Sequence, residues 1–416
     1  MKVYLESLGC KLNQCERDAL AAQFAQAGHV VVLEPERADV CVVNTCAVTH
    51  VAARKSRQRM RHLQRCNPAA RLVATGCYVT LSENGLAADL CVGNEAKGAL
   101  VAQVVAQLEQ WEIDPSPGDP SITETLKLRT RPMVKIQDGC DNECAYCIVH
   151  VLRGKQTSRP RDAILSEVAS LIRQGYQEVV LTGVHIGSYG GDRSDSLTGL
   201  VRAILSQTPP NRLRLSSLEP WDIDPAVLAL WEDPRLCRHL HLSLQSGCDR
   251  TLARMNRRYT RAQYVDLVAA ARDAIPDLAV TTDVIAGFPG ETEADFEEST
   301  ALIARIGFAR MHVFVYSPRP GTQAASMPDQ IEPQVRSKRA AHLRSIGRAS
   351  GQRFRRRFVG RTIPVLWETR RADGRWSGLT GNYLRVYAHS GEDLANTIRP
   401  ARALGLERGA LRGALA

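Results

Sequence analysis

Short apolar runs alternate with helical periodicities along most of the chain. Residues 2–9, 29–34, 38–46 and 70–77 each gather aliphatic and β-branched side chains, as a buried strand does. Apolar positions near Glu16–Ala27, Val51–Arg65 and Glu95–Gln110 recur at helical spacing. Strands alternating with helices predict an open parallel α/β sheet for residues 1–111. Three of the strands run into cysteine, at Cys10, Cys46 and Cys77. Parallel sheets carry their functional groups at the carboxyl ends of strands, so the three thiols are expected at one edge.

The alternation resumes further on. Met133–Gln137, Glu178–Gly183, Arg212–Ser217, His239–Leu244, Ala279–Gly287 and Arg310–Tyr316 read as strands. Helical patterns lie near Ile164–Arg173, Leu200–Ser206, Pro225–Trp231, Arg261–Ala274 and Glu293–Ile306. Six βα units predict a partial (β/α)6 barrel over 126–333, with its chemistry at the C-terminal mouth of the strands. After Gly360 the signal changes to short strands at Arg361–Glu368 and Tyr383–Ala388 with Gly-rich turns, predicting a small OB-like β-barrel over 361–416. Residues 112–125 are rich in Pro, Ser and acid and read as a linker. Residues 334–360 read as a basic connecting helix.

Charge sharpens this picture. The chain carries 54 Lys and Arg against 44 acids, and the excess is local. Ser350–Ala416 holds 13 Arg, no Lys and 5 acids, and no acid lies between Glu332 and Glu368. A basic face built on Arg is the footprint of a polyanion, with Arg353, Arg355, Arg356, Arg357 and Arg361 as candidate RNA contacts. No run reaches bilayer-spanning length, and the first residues lack a signal-peptide core, so a cytoplasmic protein with no membrane partner is expected. In a reducing compartment the twelve cysteines point to metal ligation rather than disulfides.

Cys140, Cys144 and Cys147 follow the first barrel strand at CxxxCxxC spacing. Three thiolates on one short loop suit three irons of a [4Fe–4S] cube and leave the fourth iron open. A zinc knuckle completed by His150 also fits that spacing. The loop, at the mouth of a βα barrel, resembles that of the radical S-adenosylmethionine (AdoMet) enzymes. The resemblance implies that AdoMet binds the open iron and is cleaved to a 5′-deoxyadenosyl radical. It implies further that Tyr146 lies near the adenine, and that Gly287 and Gly290 line the AdoMet pocket. Ser243 and Gln245, on one face of a strand end, are candidate ribose contacts.

The words around Cys10, Cys46 and Cys77 resemble the N-terminal domain of the methylthiotransferases, where three thiolates hold an auxiliary [4Fe–4S] cluster. Two clusters then take six cysteines; Cys15, Cys41, Cys66, Cys91, Cys237 and Cys248 remain as packing or incidental thiols. Further words, including those at 44–58, 239–260 and 313–322, resemble the MtaB subgroup, and SGLTGNYLRV resembles a TRAM domain, an RNA-binding β-barrel. This resemblance implies methylthiolation at C2 of N6-threonylcarbamoyladenosine, just 3′ of the anticodon. The partners would be a tRNA anticodon stem-loop, an electron donor and a sulfur source. Isopentenyladenosine in tRNA, or a ribosomal-protein side chain, is the alternative substrate. A non-enzymatic iron–sulfur RNA sensor is the alternative of another class. One departure stands out: His150-Val151 replaces the family's usual Pro-Tyr pair, although Arg153, Lys155, Arg159 and Arg161 keep the charge of that run.

Overall fold

The computed structural model describes residues 1–82, 86–114 and 129–416, so most of the expected linker at 112–125 lies outside the described residues. The first unit is a parallel sheet of β1 (Lys2–Ser7), β2 (Val30–Val32), β3 (Val40–Thr45), β4 (Arg71–Gly76) and β5 (Leu90–Val92), in the order β2-β1-β3-β4-β5. It is flanked by α1 (Lys11–Gln26), α2 (His50–Cys66), α3 (Cys77–Leu81) and α4 (Leu100–Ala106). Every residue of β3 is buried, as a strand covered on both faces requires. The short α3 and β5 carry too few residues for a periodic signal and escaped the pattern reading. α1 begins five residues earlier than its periodicity suggests, at the residue after Cys10.

The second unit contains β6 (Met133–Lys135), β7 (Gln137–Asp138), α5 (Val149–Arg153), β8 (Thr157–Ser158), α6 (Arg161–Arg173), β9 (Glu178–Thr182), α7 (Leu197–Gln207), β10 (Arg212–Leu215), β11 (Ser217–Leu218), α8 (Pro225–Leu228), β12 (His239–Leu242), α9 (Asp249–Arg254), α10 (Arg261–Ala274), β13 (Ala279–Ala286), α11 (Glu293–Ile306), β14 (Arg310–Val315) and α12 (Gln323–Ser326). The parallel strands form two arcs, β10-β9-β6 and β11-β12-β13-β14. β6 and β14 do not pair with each other, so the barrel is open on one side. The expected strand Met133–Gln137 is cut at Ile136, because Gln137 and Asp138 turn away to pair with Ser158 and Thr157. That ribbon closes the base of the cysteine loop. Val134, Leu181, Leu213, Leu242 and Val280 face the surrounding helices and share one hydrophobic core with Val168, Val201, Val268 and Ile303. Capping boxes at Thr260/Gln263 and Thr292/Asp295 set the starts of α10 and α11.

α13 (Pro333–Arg356) leads to a closed barrel of β15 (Thr362–Arg370), β16 (Arg375–Thr380), β17 (Arg385–His389), β18 (Ile398–Glu407) and β19 (Ala410–Leu415), in the order β15-β16-β17-β19-β18. Five strands replace the two read from sequence; β18 and β19 are rich in Ala, Gly and Arg, a composition with little strand signal. This small barrel docks at the N-terminal ends of the large barrel's strands. Arg212 donates to the Leu379 and Pro364 carbonyls at 3.2 and 2.9 Å, and the buried Arg214, held by Glu178, donates to the Thr380 carbonyl at 3.3 Å. No helix among the described residues is long and apolar enough to cross a membrane.

Candidate active site between two cysteine trios

Cys10, Cys46 and Cys77 come from three separate strand ends and meet at one edge of the first sheet. Their thiols lie within electrostatic reach of one another: Cys46 feels Cys10 and Cys77, and Cys10 feels Cys77. All are free thiols; Cys46 and Cys77 are buried, Cys10 is open to solvent. Burial pushes the Cys46 thiol up to about 11. A buried thiol of this kind ionises readily only when a metal takes the proton's place. The surrounding backbone leaves room for little else. Gly9 has φ +96°, and a Cβ there would lie 2.6 Å from Cys46 Sγ.

The polar surroundings suit an anionic cluster. Asn94 Nδ2 donates to Cys77 Sγ at 3.6 Å, and Asn13 Nδ2 ties the Leu8 and Thr45 carbonyls together at 2.8 and 2.9 Å. Arg153 bears on Cys10, Cys46 and Cys77, offsetting negative charge there. Its guanidinium is buried and donates to Glu16 Oε1 at 2.8 Å, Asp138 Oδ1 at 3.0 Å and Asn13 Oδ1 at 2.9 Å. Lys97 reaches the same Glu16 from α4's side at 2.7 Å, and Lys135 from β6 at 3.2 Å. Burial opposes ionisation of Glu16, but Arg153, Lys97 and Lys135 outweigh it and hold the carboxyl far below its ordinary range. Arg153 is therefore a buried strut between the two units, and sequence gave no sign of this because Glu16 lies 137 residues away.

The second trio sits on the loop after β7. Cys147 feels both Cys144 and Cys140, and burial pushes its thiol up to about 12. Each sulfur has a donor or charged neighbour. Asn142 N approaches Cys140 Sγ at 3.4 Å, Arg257 Nη1 donates to Cys144 Sγ at 3.3 Å, and Val149 N donates to Cys147 Sγ at 3.4 Å. Arg257 is itself buried, paired to Glu219 and stacked 4.6 Å from the Trp221 ring centroid. Burial disfavours the charged His185, but Asp222 at 2.7 Å and the neighbouring Cys140 raise its pKa to about 10. A donor set of three thiolates met by two backbone N–H groups and the Arg257 guanidinium fits an iron–sulfur cluster. None of Arg257, Glu219, His185 and Asp222 was singled out from sequence; they stand on other strands and meet the loop only in the fold.

A cavity of about 180 Å³ lies between Cys147 and the segment that follows Cys46. Cys147, Tyr146 and Gln245 line one side; Val48 and Thr49, just after Cys46, line another; Asp283 and Phe314 complete it. His50 N donates to Ser317 Oγ at 3.1 Å, fastening the first unit to this mouth. Of the expected AdoMet contacts, Tyr146 and Gln245 therefore share a cavity with Cys147. Gln245 takes a left-handed φ of +60°, which lets its N–H and C=O bridge to Asp283 and Ile285 at 2.9 Å each. Ser243 lies outside the cavity wall, and its carbonyl accepts from Tyr259 at 3.1 Å. Gly287 and Gly290 also lie outside it. Their left-handed backbone is crowded by side chains: a Cβ at Gly287 would meet Arg336 Cγ at 2.2 Å, and one at Gly290 would meet the Arg254 guanidinium at 2.5 Å.

The basic residues divide into two groups. Arg361 forms a fork with Asp277 at 3.0 and 2.5 Å, and Arg357 approaches the same carboxylate at 3.8 Å. Arg353 and Arg356 are exposed. Arg355 turns inward to a cavity of about 460 Å³ between β13, β14, α13 and the small barrel. Arg131, Arg310, Arg344, Arg348 and Arg385 also line that cavity; Glu368 holds Arg131 and Arg385, and no carboxylate lines the wall among the described residues.

Comparison with known proteins agrees with these observations. The Radical SAM superfamily matches residues 134–303, and Uncharacterized protein family UPF0004 matches residues 2–93. The threonylcarbamoyladenosine tRNA methylthiotransferase MtaB of Thermotoga maritima is 36% identical over 92% of this chain and 90% of its own. The MtaB of Bacillus subtilis is 32% identical over 95% and 92%. A tRNA-2-methylthio-N(6)-dimethylallyladenosine synthase of Desulfitobacterium hafniense is 32% identical over 95% and 93%. Among solved structures, the radical S-adenosylmethionine methyltransferase TsrM of Kitasatospora setae superposes with a TM-score of 0.60 at 14% identity, over 78% of this chain and 75% of that one, a likeness of fold. The chain belongs to the MtaB-type methylthiotransferases of the radical AdoMet superfamily, whose chemistry uses AdoMet and [4Fe–4S] clusters.

Proposed function

We propose that this protein adds a methylthio group to C2 of threonylcarbamoyladenosine next to the anticodon of tRNA. The observation that carries the reading is the cavity in which Cys147 of one trio faces the segment after Cys46 of the other. C2 of adenine bears an unactivated C–H bond, which acid–base catalysis leaves untouched. When bound, two iron–sulfur clusters and AdoMet supply the carbon radical and the methylated sulfur that such a bond requires.

The protein's own part is holding, charge balance and exclusion of water. Cys140, Cys144 and Cys147 would hold the radical-generating cluster, and Arg257 steadies the Cys144 sulfur. Cys10, Cys46 and Cys77 would hold the auxiliary cluster, with Arg153 and Asn94 offsetting its charge. Tyr146 and Gln245 would contact AdoMet from the cavity wall, with Ser243, Gly287 and Gly290 as further candidate contacts. Arg353, Arg355 and Arg356, with Arg310, Arg344 and Arg348 of the larger cavity, would grip the phosphates of the anticodon stem-loop in the cytoplasm. The target base is then extruded to reach the barrel interior, at a cost of a few kcal/mol.

An anaerobic incubation tests this. Reconstituted protein, AdoMet, a reductant, a sulfide source and threonylcarbamoylated tRNA are combined, and digested nucleosides are read by mass spectrometry. The methylthio nucleoside with 5′-deoxyadenosine is the expected result. 5′-Deoxyadenosine with a methylthio product only on isopentenyladenosine tRNA would reassign the substrate.

A further inference from the structure

Lys11 follows Cys10, opens α1, and extends across the open side of the barrel toward its interior. Its ammonium lies 5.9 Å from the centroid of the Tyr383 ring. Arg214 stacks on that ring at 4.5 Å and Arg131 at 5.4 Å, while His239 packs against it with centroids 4.8 Å apart. Tyr383, Arg214, Arg131 and Asp283 are the groups whose charges bear most on Lys11. Arg131 is held by Glu368 at 2.9 Å and Arg214 by Glu178 at 2.7 Å. Asp283 is held by His312 at 3.0 Å and His241 at 3.3 Å. Among the described residues nothing accepts a hydrogen bond from Lys11 Nζ, and no carboxylate pairs with it. A half-buried ammonium without an acceptor, inside a ring of further cations, is a place built for an anion. The positive end of the 16-residue α1 adds to the same field.

The two nucleosides acted on by the relatives differ in one relevant respect. The threonylcarbamoyl group carries a free carboxylate, whereas the dimethylallyl group is a hydrocarbon. We propose that Lys11 receives the carboxylate of the N6-threonylcarbamoyl group and so selects the charged nucleoside over the apolar one. The inference rests on the substrate reading above. It also accounts for where the side chain begins. Lys11 is bonded to Cys10, so the side chain that would hold the substituent starts at the auxiliary cysteine trio. Tyr383, Arg131 and Thr281 also line the arginine cavity, which connects the Lys11 surroundings to the surface where RNA phosphates would sit. Charge-assisted hydrogen bonds of this kind discriminate strongly, because a ligand without the carboxylate leaves the ammonium unpaired.

The test is a binding measurement on the reconstituted full chain. Fluorescence anisotropy would follow anticodon stem-loops carrying threonylcarbamoyladenosine, its methyl ester, or isopentenyladenosine. The wild-type protein is expected to bind the free acid about tenfold more tightly than the ester, the scale of one charge-assisted hydrogen bond. Lys11→Gln should bring that ratio close to one, and Lys11→Arg should restore most of it. Iron content would verify that both variants load. A Lys11→Gln protein that still prefers the acid tenfold overturns the assignment. So does a wild-type protein indifferent to esterification, a comparison that needs no variant. If the wild type instead prefers the isopentenyl loop, the substrate reading itself falls.

Discussion

Arg153 donates Nη1 to Glu16 Oε1 at 2.8 Å and Nη2 to Glu16 Oε2 at 3.2 Å. One end of this fork belongs to the short helix after the CxxxCxxC loop, the other to the helix that begins after Cys10. This buried ion pair, with the Lys135–Glu16 and His50–Ser317 bonds, ties one cysteine trio to the other.

Removing one partner should be costly. Arg153→Ala removes the bidentate partner of the buried Glu16, leaving it with Lys97, Lys135 and Asn44, and a loss of about 3 kcal/mol is expected. Urea denaturation measures it. Glu16→Gln, which keeps the shape and removes the charge, should cost less than Arg153→Ala and should leave iron loading of the CxxxCxxC loop intact.

The two trios should separate by mutation. Cys46→Ala is expected to lose one cluster's worth of iron and all methylthio product, while still forming 5′-deoxyadenosine from AdoMet. Cys147→Ala should abolish both products. Full methylthiolation by Cys46→Ala would remove the auxiliary site from the mechanism.

RNA affinity should depend on arginines that no acid among the described residues holds. Replacing Arg310, Arg348 and Arg355 with Gln together should reduce the slope of log affinity against log salt by roughly two to three. Arg361→Gln breaks a partly exposed fork to Asp277, so it should cost at most about 1 kcal/mol of stability and change the slope little.

Tyr383 should titrate early. Burial resists its ionisation, yet Arg131, Lys11 and Arg214 bring its pKa down to about 8. The ordinary phenol pKa is about 10, so ionised Tyr383 stabilises the fold fully above that pH. The contribution is lost as pH falls through about 8. Ultraviolet absorbance of phenolate should show one tyrosine ionising near that pH, ahead of the buried Tyr259 and Tyr264, whose pKa values are raised. Tyr383→Phe should abolish that first step.

Local signals reached far in this chain. Alternating apolar runs determined the open parallel sheet and the βα barrel, because period-2 and period-3.6 patterns report burial without long-range information. The CxxxCxxC spacing determined the candidate cluster loop, since all three ligands fall within eight residues. Cys10, Cys46 and Cys77 were legible for a different reason: each follows a parallel strand, and parallel strands end at one edge. Pairing across the chain was decided only in three dimensions. Arg153 and Arg361 look alike in sequence as surplus cations, yet Glu16 and Asp277 hold them, leaving the unpaired charge among the described residues to Lys11 and to Arg310, Arg348 and Arg355 of the larger cavity. Gly287 and Gly290 look like a ligand cradle in sequence, and the structure adds that a Cβ at either would meet the Arg336 or Arg254 side chain. Periodicity determines which face of an element is buried. Only the packed structure determines which charge meets which, because partners more than a hundred residues apart share no local signal.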